Sequence, residues 1–289
     1  MITLRSGGWV RLLCVAFLLL LPVLAGGKTI TVEAGDKGGI GAALATANPG
    51  DVILVGCGTY NEGALIMPDG VSLVGDAANP WCVRIETPGL TALFTFVDAG
   101  PSTQIHNVVI GPYDGEELVW PVARGAAFYL ENSSPVFSNV TFDQLDADYG
   151  GAVYCTAGSS PTFTDCRFES NVARAAGGAV AVTGASNPTF ERGVFEHNAA
   201  GASGGAINAA LNSAPVLTEC TIFRNEADAG SGLAAWDDAG FTLDQVIIYE
   251  GVGGRGWDGG PGSIPEIGCS DIFGNEGGDW VGGLEPLLA

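Results

Sequence analysis

GGAVYCTAGSSPTFTDCRFESNVARAAGGAV, residues 150–180, contains one full period of a repeat, bounded by Gly150-Gly151 and Gly177-Gly178. The pair returns at the same interval as Gly204-Gly205 and, loosened, as Ser231-Gly232. Pro135, Pro161, Pro188 and Pro215 keep the phase, and Asn171, Asn198 and Asn225 each follow their proline by ten residues. A fixed period of roughly 20–50 residues signals stacked supersecondary units, each burying its face only against its neighbours.

Counting from the proline, apolar residues fall at +2 (Phe137, Phe163, Phe190, Leu217), +5 (Val140, Cys166, Gly193, Cys220) and +7 (Phe142, Phe168, Phe195, Ile222). Positions +5 and +7 alternate as one face of a strand does, and the odd step from +2 to +5 requires a bend between two short strands. After the asparagine comes a turn, then Gly-Gly, then Ala152-Val153-Tyr154, Ala179-Val180-Ala181 or Ala206-Ile207-Asn208 as another strand. Each unit therefore holds about three short strands. A helical reading fails because Gly, Pro, Asn, Thr and Val are too frequent. What remains is a parallel β-helix, in which each strand pairs with its counterpart one repeat later, about 4.8 Å away. Like residues then stack in columns: Phe on Phe inside, Asn171 on Asn198 on Asn225 at a turn, where asparagine tolerates a left-handed backbone.

Working outward, Ile40, Ala43, Leu44 and Ala47 form one apolar helical face, so residues 36–50 are expected to cap the first coil. The regular repeats run from 135 to 250. Two stretches break the rhythm. One is an inserted loop at 111–124 with Tyr113, Asp114, Glu116, Glu117 and Trp120; the other is Gly251 to Pro261 with Arg255, Trp257 and Asp258. At the start, Arg5 and Arg11 precede the apolar run Leu12–Leu21, and Pro22-Val23-Leu24-Ala25-Gly26 follows with small residues. This is the pattern of a secretory signal peptide over 1–26, leaving 27–289 as one elongated domain, and no later stretch is apolar enough to span a membrane. The expected location is secreted or cell surface, either extracellular or periplasmic.

The chain has 11 Lys+Arg against 32 Asp+Glu, a formal net charge of −21. Such a surface repels phosphate backbones, which argues against nucleic acid, and it repels anionic polysaccharides unless a cation bridges them. Six cysteines follow the signal: Cys57, Cys82, Cys155, Cys166, Cys220 and Cys269. Export permits disulfides, and six cysteines allow 15 pairings. The separation of Cys57 from Cys82 is close to one coil, so they are placed to join. Cys155 and Cys166, in consecutive strands, are a second candidate pair. Cys166 and Cys220 share a slot two coils apart, too far to bond.

The repeats Gly177-Gly178-Ala179-Val180, Gly204-Gly205-Ala206-Ile207, Phe168-Glu169-Ser170-Asn171 and Phe195-Glu196-His197-Asn198 resemble those of polymorphic outer-membrane proteins and of secreted bacterial right-handed parallel β-helices. The opening Ala47-Asn48-Pro49-Gly50-Asp51-Val52-Ile53-Leu54-Val55, followed by Gly58-Thr59-Tyr60, is similar to the first coil of pectin-lyase-like proteins. The resemblance covers roughly residues 28–281. It implies an all-β fold, a single-stranded right-handed parallel β-helix of about nine coils with a short N-terminal capping helix. That fold hosts lyases, hydrolases, esterases, adhesins and inert spacers, so it does not name an activity.

Polygalacturonases resemble one another in motifs of which only Asp237-Asp238 occurs here. Ser270-Asp271-Ile272-Phe273-Gly274 comes close to a pectin methylesterase element but falls in an ordinary repeat slot. The candidate catalytic residues come instead from stacking: Asp143, Glu169 and Glu196 share position +8, which should face outward, with Phe223 next. Carboxylates about 5 Å apart suit a retaining glycosidase or a calcium ion, and without counterions they repel. The plainer reading is a solvated acidic stripe. Loop 111–124 offers Tyr113 and Trp120 to stack on sugar rings and Asp114, Glu116 and Glu117 to accept hydroxyl hydrogen bonds. His106 and His197 stand isolated in the sequence. The leading expectation is a non-catalytic exported protein that binds carbohydrate or another cell-surface component, because lyase and esterase chemistry on uronates needs a base and cationic partners that are scarce here. A polysaccharide lyase or glycoside hydrolase with a calcium-assisted acidic site, and a structural spacer of the cell envelope, are the alternatives.

Overall fold

The coil is built from backbone kinks at fixed slots. In the computed structural model, which describes residues 26–35, 39–89, 91–113 and 122–279, Asn139, Asp165, Arg192, Glu219 and Gln245 occupy position +4 with φ between 52° and 56°. These left-handed residues supply the bend between the strands Thr162–Thr164 and Arg167–Glu169 and their counterparts. A second left-handed slot is held by Gln144, Ser170, His197, Arg224 and Glu250, the residue just before the asparagine position. The asparagine is thereby freed to turn inward.

From Thr162 onward each regular coil holds four strands, one more than the pattern predicts, while in the coil before it the first two run on as Val136–Asp143. The extra one follows the asparagine, as Val172–Ala176 and Ala199–Ala200. Its inward residues are Ala147, Ala173, Ala200 and Ala227, all buried. A lone alanine per strand leaves no bulky alternation to read, which is why the segment passes for a turn. Among the described residues the strands assemble into a 17-stranded, an eight-stranded and a six-stranded sheet, all paired in parallel between successive coils.

The interior consists of columns. Phe142, Phe168 and Phe195 form one, with ring centroids 4.6 Å apart at each step and planes within 11° and 2°. Phe137, Phe163 and Phe190 form another, 4.9 Å apart at each step. Beside them runs the asparagine ladder, in which Asn171 Nδ2 donates to Asn198 Oδ1 and Asn198 Nδ2 to Asn225 Oδ1, both at 2.9 Å. At the tight corner Gly150, Gly177, Gly204 and Gly230 have φ of 61° to 70°. The loosened pair Ser231-Gly232 proves to be one residue out of phase. Ile207 pairs with Leu233, so Gly230 matches Gly204 and Ser231 matches Gly205.

The stretch from Gly251 to Pro261 is a shortened coil rather than an interruption. Leu233 pairs with Trp257, a shorter step than the one from Ile207 to Leu233, and Trp257 fills the interior against Phe241. At the other end the helix Gly39–Thr46 buries Ile40, Ala43 and Leu44 over the first coil, shorter than the 36–50 expected. Residues 36–38 lie outside the described set, as do the signal segment 1–25 and 114–121. Glu62 caps the helix, accepting from the Ile40 N–H at 3.0 Å and the Gly41 N–H at 3.4 Å. Burial pushes its carboxyl above the ordinary range, against the pull of those two bonds. No helix among the described residues is long and apolar enough to cross a membrane.

Cys57 and Cys82 are joined, their Cα atoms 4.8 Å apart on adjacent coils. Cys155 and Cys166 are not joined, a correction to the second candidate pair. Cys155 lies in the column between Leu130 and Val182 of the eight-stranded sheet, whereas Cys166 lies in the bend between two strands of the 17-stranded sheet, its thiol beside the Phe137 and Thr164 carbonyls. Both thiols are fully buried, and burial raises the pKa of each, Cys166 to about 12, so they stay protonated. Breaking the one disulfide by Cys57→Ser is expected to cost about 3 kcal/mol, since it closes a 25-residue loop. Urea unfolding of wild type with and without reductant checks this, and an unchanged midpoint would contradict it.

Candidate functional site

Position +8 is one continuous outward column on the 17-stranded sheet. In register it runs Asp143, Glu169, Glu196, Phe223, Tyr249 and Phe273. Strand alternation puts these side chains outside because the adjacent Phe142, Phe168 and Phe195 point inside. The first three rungs are the carboxylates singled out by the sequence. They are not a bare acidic stripe.

Each carboxylate has an arginine. Arg167, two residues before Glu169 on the same strand face, donates to Glu169 Oε2 at 3.0 Å and also pairs with Glu196 on the next coil. Arg84 donates to Glu86 Oε1 at 3.2 Å and to Asp143 Oδ2 at 3.4 Å. To do so it crosses the coil between them, and Gly111 occupies that rung: a Cβ there would lie 2.4 Å from the Arg84 guanidinium. The stacking repulsion expected between carboxylates is therefore answered by guanidinium groups from the chain itself. Glu196 is 8 % exposed, far from a solvated position, closed in by Arg167, His197 and the Phe223 rung. Among the described residues no cluster of three potential metal-binding atoms includes Asp143, Glu169 or Glu196. The one such cluster is Cys57, Asp76 and Cys82, whose two sulfurs are spent in the disulfide.

At its far end the column turns aromatic. Phe223 and Tyr249 stack at 5.0 Å, Tyr249 and Phe273 at 5.4 Å. Stacking along the axis covers the ring faces and leaves edges to solvent, so only the last ring, Phe273 at 46 % exposure, offers a face. At the near end Tyr113 is exposed and lines an open cleft of about 230 Å³ with Asn61, Glu62, Gly63, Glu86 and Pro88. Glu86 belongs both to this cleft and to the Arg84 pair, so the structure brings the loop's Tyr113 and the +8 carboxylates into one strip. Asp114, Glu116, Glu117 and Trp120 lie outside the described residues.

Sequence reasoning misses Arg84 and Arg167. Arg167 is readable in principle, being two residues from Glu169 and hence on its face. Arg84 is not, since it meets Asp143 across 59 residues. The charge ladder at +4 is present: Arg192 holds Asp165 through bonds of 2.7 and 2.9 Å, and that guanidinium draws the Asp165 carboxyl below its ordinary range. Of the two histidines, His197 sits at the surface beside Glu196, whereas His106 is bonded on both ring nitrogens.

A family model described as "Right handed beta helix region" matches residues 104–264, more than half of the chain. No curated protein matches. Among solved structures, the chain is similar to a polygalacturonase from Erwinia carotovora ssp. carotovora, with a TM-score of 0.56 and 12 % identity over 85 % of this chain and 84 % of that one. It is also similar to a pectin methylesterase from Erwinia chrysanthemi, with a TM-score of 0.48 and 14 % identity over 83 % and 80 % of the two chains. At such identity the likeness speaks for the fold alone.

Proposed function

We propose, from the premise that this chain belongs to the right-handed β-helix family, that it is an exported protein that binds a neutral, polyhydroxylated polymer along the +8 column without cleaving it. The observation that carries this reading is the pairing of every +8 carboxylate with arginine. A glycosidase needs one carboxyl held as an acid in apolar surroundings and a second free to attack. Here the carboxylates are committed to guanidinium groups. What remains is a strip of acceptor carboxylates on successive rungs about 4.8 Å apart, flanked by guanidinium donors, a surface suited to sugar hydroxyls.

Tyr113 sits where a sugar ring would stack at the cleft, and the rest of loop 111–124, with Asp114, Glu116, Glu117 and Trp120, is assigned further ligand contacts. The net charge of −21 favours a neutral glycan over an anionic one. The signal segment 1–26 supports export to a secreted or cell-surface location. A polygalacturonase among the structural neighbours fits a polysaccharide partner.

A polysaccharide panel in affinity electrophoresis, with and without calcium, tests the reading. Retardation by a neutral glycan is expected, weakened about tenfold by Glu169→Gln, since a hydrogen bond to a charged group is worth about 1.5–3 kcal/mol, and weakened also by Tyr113→Ala, which removes the stacking ring. Release of reducing or unsaturated ends by wild type, abolished by Glu169→Gln, would replace it with a catalytic function.

A further inference from the structure

Away from the +8 column, on the neighbouring outward rows of the same sheet, three polar side chains from two coils form a chain of hydrogen bonds. Ser138 Oγ lies 2.5 Å from His106 Nδ1, and His106 Nε2 lies 2.9 Å from Gln104 Oε1. The register places them there: His106 pairs with Ser138 across one coil, and Gln104 precedes His106 by two on the same strand face. All three are half-buried. Gln104 Nε2 contacts the Pro101 carbonyl at 3.5 Å, which turns its Oε1 toward the imidazole. An amide oxygen only accepts, so His106 carries its proton on Nε2 and presents a bare Nδ1 to the serine hydroxyl. Burial draws the His106 pKa below its ordinary value, which keeps that nitrogen free at neutral pH.

This is the nucleophile, base and orienting acceptor of acyl-transfer chemistry, in an arrangement recognised by geometry rather than by order in the chain. The geometry points to Ser138 as a nucleophile, with His106 as its general base and Gln104 as a positioning residue, acting on short acyl esters of alcohols. Along the column the neighbours are Val74 beside His106 and Thr164 beside Ser138, neither of them a large side chain. In the reaction, a bond forms between Ser138 Oγ and the acyl carbon as the carbon–oxygen bond to the alcohol breaks. The serine proton passes to His106 Nδ1 and from there to the departing alkoxide. Water then attacks the acyl carbon and gives a proton to His106, which passes it to Ser138 Oγ as the bond from the acyl carbon to Oγ breaks, releasing the carboxylic acid and the free serine. Atoms balance with water as the one co-reactant. This inference does not depend on the glycan-binding reading.

The test is labelling of the intact protein by a fluorophosphonate, read by mass spectrometry with peptide mapping, beside hydrolysis of p-nitrophenyl acetate. One label per chain, on Ser138, is expected. Ser138→Ala should abolish the label, and His106→Gln should slow it by about 100-fold or more, the usual range for a general base. Gln104→Glu should accelerate both reactions by about tenfold, because a carboxylate stabilises the imidazolium as the amide cannot, whereas a merely structural glutamine would lose by that change. Circular dichroism of each variant separates these effects from unfolding. Absence of label on folded wild type, or label that persists in Ser138→Ala, overturns the proposal.

Discussion

Gly178→Ala is expected to destabilise the protein by at least about 3 kcal/mol, the upper end of what overpacking costs, because nothing near it can move. A Cβ at this position would lie 2.0 Å from the Gly205 carbonyl oxygen and 2.8 Å from the Ala199 backbone, all main-chain atoms. Gly151 and Gly205 meet the next coil in the same way, at 2.3 and 2.1 Å. Making room means widening the spacing between two coils, and every strand pair in that rung then lengthens its hydrogen bonds. Position 63 provides the control. Nothing lies within 4 Å of a Cβ at Gly63, so Gly63→Ala should change stability by less than about 0.5 kcal/mol. The measurement is the urea midpoint of each variant. Equal midpoints for the two would mean that the coils do not approach at the Gly-Gly corner as described.

Asn198→Ala should cost about 3–5 kcal/mol, because it strands buried partners on both sides. Asn198 has no exposed surface. Its Oδ1 accepts from the Asn171 N–H at 3.0 Å and from Asn171 Nδ2 at 2.9 Å, and its Nδ2 donates to the Phe168 carbonyl at 3.0 Å and to Asn225 Oδ1 at 2.9 Å. Alanine leaves the Asn171 N–H unpaired and takes one bond from the Phe168 carbonyl, both where water does not reach. Past the ladder, which Gly251 interrupts, Asn275 is 7 % exposed and its Nδ2 meets no further asparagine, so Asn275→Ala should cost less. Equal losses at 198 and 275 in equilibrium unfolding would show that the ladder is no special source of stability.

The legible and the illegible elements of this fold differ in what specifies them. Phe142, Phe168 and Phe195 read as a column because each is large, apolar and repeated in phase. The strand Val172–Ala176 does not, because its one inward residue is alanine. Trp257 reads as part of an irregular loop because its coil is shorter than the period, yet it fills the interior slot that follows Leu233. The left-handed residues are expected at asparagine and lie one position earlier, at Ser170, His197 and Arg224, where no residue type announces them. The +8 carboxylates are found from their phase, but their meaning changes once Arg84 and Arg167 stand beside them.

By itself the sequence determined the period, the strand faces and the columns, because these follow from local rules: alternation along a strand, glycine at a crowded corner, one repeat per turn. Only the tertiary structure decided which charges and hydroxyls meet. Phe137 pairs with Ile105 on one side and Phe163 on the other, and the first of these steps along the chain is the longer, so the coil lengths vary. A column of like residues survives such variation. A pairing of unlike ones, such as Arg84 with Asp143 or His106 with Ser138, depends on the accumulated length of every intervening coil, and no local pattern carries that sum.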